Sequence, residues 1–357
     1  MKAKIEPRIN LKGRTNLEEV IPLSTPFVLF VDPSNICNFK CKFCPTGHND
    51  LIKKSNRIQT LMDFNLYKKI IDDLKEFDKP LKVLRLDKEG EPLLNPYFSE
   101  MIKYAKNKEY VNYIDTTTNG FLLIPHIAKS IIEAGLNKIN ISVNGLSDSQ
   151  FLEFSGAHVK FDKYVENIIN LYNNKKDCEI VIKTTGDFLS EKDKNEFYKI
   201  FENYCDRIFI ENTANCWPEF NVEKESGIQI SKTKGIYNQN LSNVNVCPYI
   251  FYSTTINSDG TASLCFLDWE HRTIIGDVKK QSLKEIWNSD ILYKYQTINL
   301  KGDRKDINMC RNCGQLTHGM PDNIDNYSNE LGFKLFKSRF PLIRRTRKNN
   351  NINKLNN

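Results

Sequence analysis

The sequence predicts an α/β fold, a partial (β/α)6 TIM-like barrel with a small C-terminal cysteine-rich domain. Two observations carry this prediction. Short apolar runs alternate six times with amphipathic helical stretches between residues 27 and 216, the pattern of a parallel sheet covered by helices. Beyond residue 216 the alternation stops, and four of the ten cysteines follow.

The first strand is expected at 27–31, a short apolar run. Asp63 then caps a helix with Phe64, Tyr67, Ile71 and Leu74 on one face. The second strand is 83–86, followed by a helix carrying Phe98, Met101, Ile102 and Ala105. The third is 113–117, and its helix ends at Gly135, a natural C-cap. The fourth, 138–143, precedes a helix through Val165, Ile168, Ile169 and Tyr172. The fifth is 180–184; Ser190 and Asp193 then have capping-box spacing before Phe197, Ile200 and Phe201. The sixth is 208–210. In such sheets, ligands bind at the carboxyl ends of the strands.

The expected organisation is an irregular basic arm at 1–26, the barrel at 27–225, a polar linker at 226–244, a small cysteine-bearing domain at 245–320 and a basic tail at 321–357. A hairpin is expected at Asn257-Ser258-Asp259-Gly260, where Asp-Gly is a strong turn signal. No internal repeat is visible.

With 357 residues, 40% hydrophobic and 27% charged, the composition is that of a globular chain with room for a barrel and an appendage. No apolar stretch approaches the ~20 residues of a membrane helix. The N-terminus lacks the apolar core of a signal peptide, so a cytoplasmic location is expected. The net charge of +7 is a mild excess, and part of it sits at Lys334, Lys337, Arg339, Arg344, Arg345, Arg347 and Lys348. Phe336, Phe340, Leu342 and Ile343 lie between these cations. That segment reads either as a solvated tail or as a peripheral contact for a membrane surface or nucleic acid. No dedicated nucleic-acid motif is present.

Cysteines clustered in a reducing compartment are more often metal ligands than disulfides. Cys37, Cys41 and Cys44 fall on one short loop directly after the first strand. Three thiolates hold three irons of a [4Fe–4S] cube and leave the fourth iron open. The spacing also admits a structural zinc site with His48 as fourth ligand. Cys178 and Cys205 read as core, and Cys216 follows the sixth strand at the open end of the barrel.

The segment Cys37-Asn-Phe-Lys-Cys41-Lys-Phe-Cys44 resembles the signature of radical S-adenosylmethionine (SAM) enzymes. In that family the open iron binds the amino and carboxylate groups of SAM. One electron cleaves SAM to methionine and a 5′-deoxyadenosyl radical, which abstracts a hydrogen atom from substrate. Further motifs carry the same resemblance. Glu89-Gly90-Glu91-Pro92 is similar to the family's Gly-Gly-Glu-Pro, with Glu89 replacing the first glycine. The resemblance implies that Glu91 accepts a hydrogen bond from the SAM amino group. It places Asn119, in Thr117-Thr118-Asn119-Gly120, near the cofactor or substrate, although the same residues read equally as a strand-end turn. Ser142 and Asn144 sit in a region similar to the family's Ser-x-Asp-Gly, Asn replacing Asp, and are expected to hydrogen-bond the cofactor. Lys183 is placed to pair with the cofactor carboxylate, and Phe43 to pack at the adenine.

Cys247, Cys265, Cys310 and Cys313, with Gly260 before Cys265, resemble the SPASM or twitch extension of these enzymes. Four ligands imply one auxiliary [4Fe–4S] cluster, with zinc on four cysteines as the other reading. An external electron donor, flavodoxin- or ferredoxin-like, is implied. Cys216 is a candidate to return a hydrogen atom to a substrate radical, and Asp268 a candidate general base. Asp268, Trp269, His271, Thr317 and His318 are expected either to line the pocket or to lie at the surface. The implied function is hydrogen abstraction from a small polar substrate (sugar, aminocyclitol or nucleotide sugar) giving dehydrogenation or epimerisation. The alternatives are a peptide- or protein-modifying enzyme of the same superfamily, and a non-catalytic iron–sulfur or zinc protein.

Overall fold

A computed structural model describes residues 2–9 and 12–340. The distal basic positions, from Leu342 to Lys348, therefore lie outside the described residues. The strands are β1 (Lys4–Ile5), β2 (Val28–Val31), β3 (Val83–Arg85), β4 (Ile114–Thr118), β5 (Lys138–Val143), β6 (Glu179–Thr185), β7 (Arg207–Glu211), β8 (Ser253–Ile256), β9 (Thr261–Ser263) and β10 (Ile274–Asp277). They form one sheet in the order β1-β7-β6-β5-β4-β3-β2-β8-β9-β10. All six strands expected from the sequence are present, as β2 to β7, and each pairs in parallel with the next.

The local signals act as their chemistry dictates. Asp63 accepts from the Leu66 N–H at 2.9 Å and starts the helix Phe64–Asp73. Ser190 and Asp193 form the capping box of Glu191–Phe201. Gly135 follows its helix at φ +94°, and Gly260 turns β8 into β9 at φ +88°, conformations that L side chains adopt at a cost. In the helix Phe161–Asn173 the buried face is Tyr164, Ile168 and Leu171, so the expected Ile169 lies to its side. The Tyr164 hydroxyl anchors that face by donating to the Asn119 carbonyl at 3.0 Å.

Three segments differ from the simple barrel-plus-appendage picture. In the N-terminal arm, β1 pairs in parallel with β7. At the other side β8 pairs in parallel with β2, from Val28↔Ser253 to Val31↔Ile256. The cysteine-rich region thus continues the barrel sheet, and one buried core runs from Leu29 and Leu84 to Leu283 and Trp287. Residues 226–244 are ordered: Ile230 is buried, and Lys234 bridges Asn240. Cys178 and Cys205 are buried in the core. No described helix is long and apolar enough to cross a membrane.

Strand pleating decides what faces the barrel interior. On β3 and just beyond it, Leu84 and Leu86 are fully buried while Arg85 and Asp87 are partly accessible. On β5 and β6, Ile141, Val143 and Ile182 are buried, whereas Ser142, Asn144 and Lys183 are partly accessible. Register aligns these inner residues: Phe30 with Arg85, Arg85 with Asp115, Ser142 with Lys183, and Lys183 with Phe209. The helices pack on the apolar side, and the polar side faces the barrel interior, here called the chamber.

Candidate active site

The first cysteine loop leaves the carboxyl end of β2. Backbone bonds fold it tightly: Cys44 N–H donates to Cys41 O at 3.2 Å, and Gly47 N–H to Cys44 O at 2.9 Å. Lys40 and Lys42 N–H donate to Ser155 O and Phe154 O at 2.7 and 3.1 Å, pinning the loop to the helix beyond β5. None of the three cysteines forms a disulfide. Burial pushes Cys37 up to about 12 and also raises Cys41 and Cys44. The three thiols also disfavour one another's ionisation, so they share one neighbourhood. Such a set becomes thiolate only when a metal replaces the protons.

The strand ends supply donors to the sulfurs. Asn119 Nδ2 lies 3.9 Å from Cys37 Sγ and donates to Asn38 Oδ1 at 2.8 Å. Asn144 Nδ2 donates to Cys41 Sγ at 3.5 Å, and Phe39 N–H to Cys37 Sγ at 3.4 Å. Hydrogen bonds to sulfur are a known lever on iron–sulfur clusters, so the donor set fits such a group. Among the described residues no three His, Cys, Asp or Glu side chains converge on a single metal ion. A cube does not require that, because each thiolate takes its own iron. His48 points elsewhere: its Nε2 lies 3.0 Å from Lys42 O and its Nδ1 3.8 Å from Glu225.

Gly90 is where two loops meet. A Cβ there would sit 2.3 Å from the Ser34 and Ile36 carbonyl oxygens, so no larger residue fits. Glu91 is buried beside it and accepts from Thr118 Oγ1 at 2.6 Å, Asn119 N at 2.8 Å and Leu93 N at 3.1 Å. Burial still pushes its carboxyl up to about 7. Both of its oxygens are engaged by protein donors, and its direct effect is to hold Asn119 against the cysteine loop.

Sequence reasoning missed the partners of Glu89. Its side chain is fully buried, with Arg57 Nε at 3.0 Å and His271 Nε2 at 3.1 Å. Lys88 Nζ also donates to it, and reaches Asn257 Oδ1 at 2.8 Å and Asp268 O at 3.1 Å. Arg57 donates to Thr46 Oγ1 at 3.0 Å and to Asn35 O. Burial opposes the charged form of Glu89, but Lys88, His271 and Arg57 hold its carboxyl down to about 2. These charges knit the cysteine loop, the Gly-Glu-Pro loop and the C-terminal region together. No periodic or local signal marks them, because Arg57 and His271 are distant from Glu89 in sequence.

The interior chamber is polar. Arg85 binds Asp115 with Nε and Nη2 at 2.8 and 2.6 Å, and its guanidinium lies 5.3 Å from the centre of the Phe30 ring. Lys183 donates to Glu211 at 3.0 Å, and Arg8 donates to the same carboxylate at 2.9 Å. Lys183 thus pairs with Glu211 rather than standing free, and its charge is felt by Cys41. Tyr237 lies beside Arg8 and Glu211, and Phe266 stacks on Phe30 at 4.8 Å. Ser142 faces the same interior. Next to the chamber, Phe43 lines a small cleft with Asn144, Gly145, Phe154, Thr184 and Phe188. Its ring centre is 5.4 Å from that of Phe188.

At the far side lie Cys247, Cys265, Cys310 and Cys313. Burial raises every one of these thiols, and they act on one another, so the fold brings all four together. The Arg304 guanidinium lies near three of them and donates to Cys310 O at 2.8 Å. Cys216 is buried between this set and the chamber. Its carbonyl lies 3.7 Å from Cys313 Sγ, and its thiol, raised by burial, feels Arg8 and Glu211. Asp268 has another employment than that of a base: it accepts from Arg272 N at 2.9 Å and from Thr273 N and Oγ1 at 2.8 Å each. It is buried and organises its own loop. Trp269 is buried too, donating to Pro218 O at 2.7 Å.

Residues 31–202 match the sequence model of the radical SAM superfamily, and residues 247–314 that of an iron–sulfur cluster-binding domain. The chain belongs to the radical SAM superfamily. Its cofactors are those of the family: SAM with a [4Fe–4S] cluster, and an auxiliary iron–sulfur cluster in the C-terminal region. Among curated relatives, a GTP 3′,8-cyclase of Vibrio vulnificus is 29% identical over 143 residues, 40% of this chain and 40% of that protein. A GTP 3′,8-cyclase of Nostoc sp. is 34% identical over 127 residues, 34% of this chain and 36% of that protein. The chain therefore spans well under two thirds of these relatives' length. Among solved structures, BtrN in complex with AdoMet and 2-DOIA has a TM-score of 0.53 at 16% identity, covering 84% of this chain and 97% of that one. SuiB of Streptococcus suis bound to S-adenosylmethionine has a TM-score of 0.57 at 17% identity, covering 85% and 74%. anSMEcpe with bound AdoMet has a TM-score of 0.56 at 16% identity, covering 92% and 100%. These likenesses show the fold.

Proposed function

We propose that this radical SAM enzyme takes a hydrogen atom from a small polar molecule (a sugar, aminocyclitol or nucleotide sugar) and completes its dehydrogenation or epimerisation. The observation that carries this reading is the polar barrel interior, whose charged residues act on Cys41 of the first thiol set and on Cys216 beside the second. Lys183 ties it to Cys41, and Cys216 ties it to Cys313. When bound, the first cluster with SAM supplies the acceptor of a hydrogen atom, and the auxiliary cluster a one-electron partner.

The chain's own residues do the rest. Cys37, Cys41 and Cys44 hold the first cluster; Cys247, Cys265, Cys310 and Cys313 hold the second. Asn119 and Asn144 donate to the first set's sulfurs, with Glu91 fixing Asn119. Phe43 and Asn144 line the small cleft that we assign to the adenine side of SAM. Ser142 and Lys183 face the substrate side of the same strands. Asp268 closes its loop by hydrogen bonds. A flavodoxin- or ferredoxin-like donor and a cytoplasmic location belong to the same proposal.

Of these two outcomes, the position of Cys216 favours epimerisation. Its thiol would return a hydrogen atom to the substrate radical, whereas in dehydrogenation the radical would give up a proton to solvent and an electron, for which an auxiliary cluster on Cys247, Cys265, Cys310 and Cys313 would be the acceptor. Product analysis in deuterated water tests this. Dehydrogenation gives a product lighter by two hydrogens; epimerisation gives an isomer carrying one solvent deuterium, lost in Cys216→Ala. If sugars, aminocyclitols and nucleotide sugars all leave SAM cleavage unstimulated while a peptide stimulates it, the proposal fails in favour of peptide modification.

A further inference from the structure

Resting on the reading of the chamber as the substrate site, we propose that Asp87 anchors the substrate and selects a small molecule with a hydroxyl or ammonium donor and no phosphate. Three observations point there.

The first is position. Asp87 lies just beyond β3 on the inward side of the pleat, between Leu86, fully buried on the other face, and the loop locked by Gly90. Its side chain is 17% accessible. A residue held this way presents its carboxylate to the chamber without loop motion, which is what a precise anchor requires.

The second is unused capacity. The other chamber acids are committed, Asp115 to Arg85 with two hydrogen bonds and Glu211 to Lys183 and Arg8 with one each. Asp87 Oδ1 is buried and has no hydrogen-bond donor among the described residues. The nearest cation, Arg85 Nε, stands 3.9 Å away, beyond hydrogen-bond reach. A buried carboxylate oxygen with no donor is costly, and a substrate N–H or O–H removes that cost.

The third is charge balance. The chamber cations Arg8, Arg85 and Lys183 face the carboxylates of Asp87, Asp115 and Glu211. Each cation already has a carboxylate partner. A polyphosphate needs cations to spare, and seating one here means breaking pairs that the fold has formed. A neutral or cationic polyol keeps every pair and adds the missing donor to Asp87. Burial, with Asp115 nearby and opposed by Arg85, Thr117 and Arg8, pushes Asp87 up to about 6, so the group is an acceptor at neutral pH.

The test is equilibrium binding to the cluster-loaded enzyme with SAM present, using 2-deoxystreptamine as aminocyclitol, myo-inositol as neutral cyclitol and GTP as nucleotide. The proposal expects a cyclitol to bind more tightly than GTP, and Asp87→Asn to weaken that cyclitol at least tenfold. Loss confined to the aminocyclitol assigns an ammonium contact; equal loss for both assigns a hydroxyl. Asp87→Ser is the second variant. Because one oxygen of the carboxylate, Oδ1, lacks a donor in the free enzyme, the unfolding midpoint of Asp87→Asn should equal or exceed that of the native chain. Tighter binding of GTP, or a variant that binds cyclitols like the native enzyme, overturns the assignment. If cyclitols still stimulate SAM cleavage in that case, the proposed function survives without this anchor. If no small polar compound stimulates it, the proposed function itself has failed.

Discussion

Asn144 donates to Cys41 Sγ at 3.5 Å, and Asn119 approaches Cys37 Sγ at 3.9 Å. An N–H directed at sulfur stabilises the more negative, reduced state of a cluster, so removing it should lower the reduction potential. Asn144→Ala is therefore expected to shift the first cluster's midpoint potential downward and to cost about 10–100-fold in SAM cleavage, the usual range for a partner of a metal ligand. Potentiometric EPR checks the shift; an unmoved potential contradicts the assigned contact. Both asparagines were visible in the sequence, since each ends a strand with Asn-Gly. Their exact target was not, because the sequence suggested the cofactor and the fold brings them to the cysteines first. Asp87 was invisible as a site: its distinction is that one of its oxygens, Oδ1, lacks the donor that the carboxylates of Asp115 and Glu211 have.

Among the elements, the loop that replaces the family's first glycine with Glu89 is the informative one. The substitution places there a buried charge joined to Arg57, Lys88 and His271. Removing one partner from a buried ion network leaves uncompensated charge and costs about 3–5 kcal/mol. Glu89→Gly, although it restores the family residue, should lower stability by about that amount in urea unfolding. A loss under about 1 kcal/mol would show that the network contributes little. Burial opposes the Glu89 carboxylate, but its partners bring the folded-state value from 4.5 down to about 2. Its contribution is thus present above pH 4.5 and is lost as pH falls through about 2. The six barrel strands were legible because each is a local apolar run. The pairing of β2 with β8 was not, because Val28 and Ser253 meet only in the folded chain. The segment 226–244, free of periodicity, read as a linker, yet it delivers Tyr237 to the chamber.

For the whole molecule, the C-terminal helix Ser328–Arg339 leaves Phe333, Phe336 and Phe340 exposed at 58%, 42% and 43%. Lys334 and Lys337 lie on the same helix, Lys337 Nζ sitting 3.6 Å from the centre of the Phe333 ring. A solvated tail and a peripheral contact with an anionic membrane surface make different predictions for this end of the molecule, and the second is tested by vesicle binding. Co-sedimentation with phosphatidylserine vesicles should fall at high salt and in Phe333→Ser/Phe336→Ser; equal recovery with neutral vesicles speaks against the contact. The central claim concerns chemistry, and it is tested most directly by 5′-deoxyadenosine formation. Anaerobically reconstituted protein, given SAM and a strong reductant, should form 5′-deoxyadenosine, and Cys41→Ala should abolish it. An iron-loaded native sample that forms none, even with sugars, aminocyclitols and peptides present, would contradict the account.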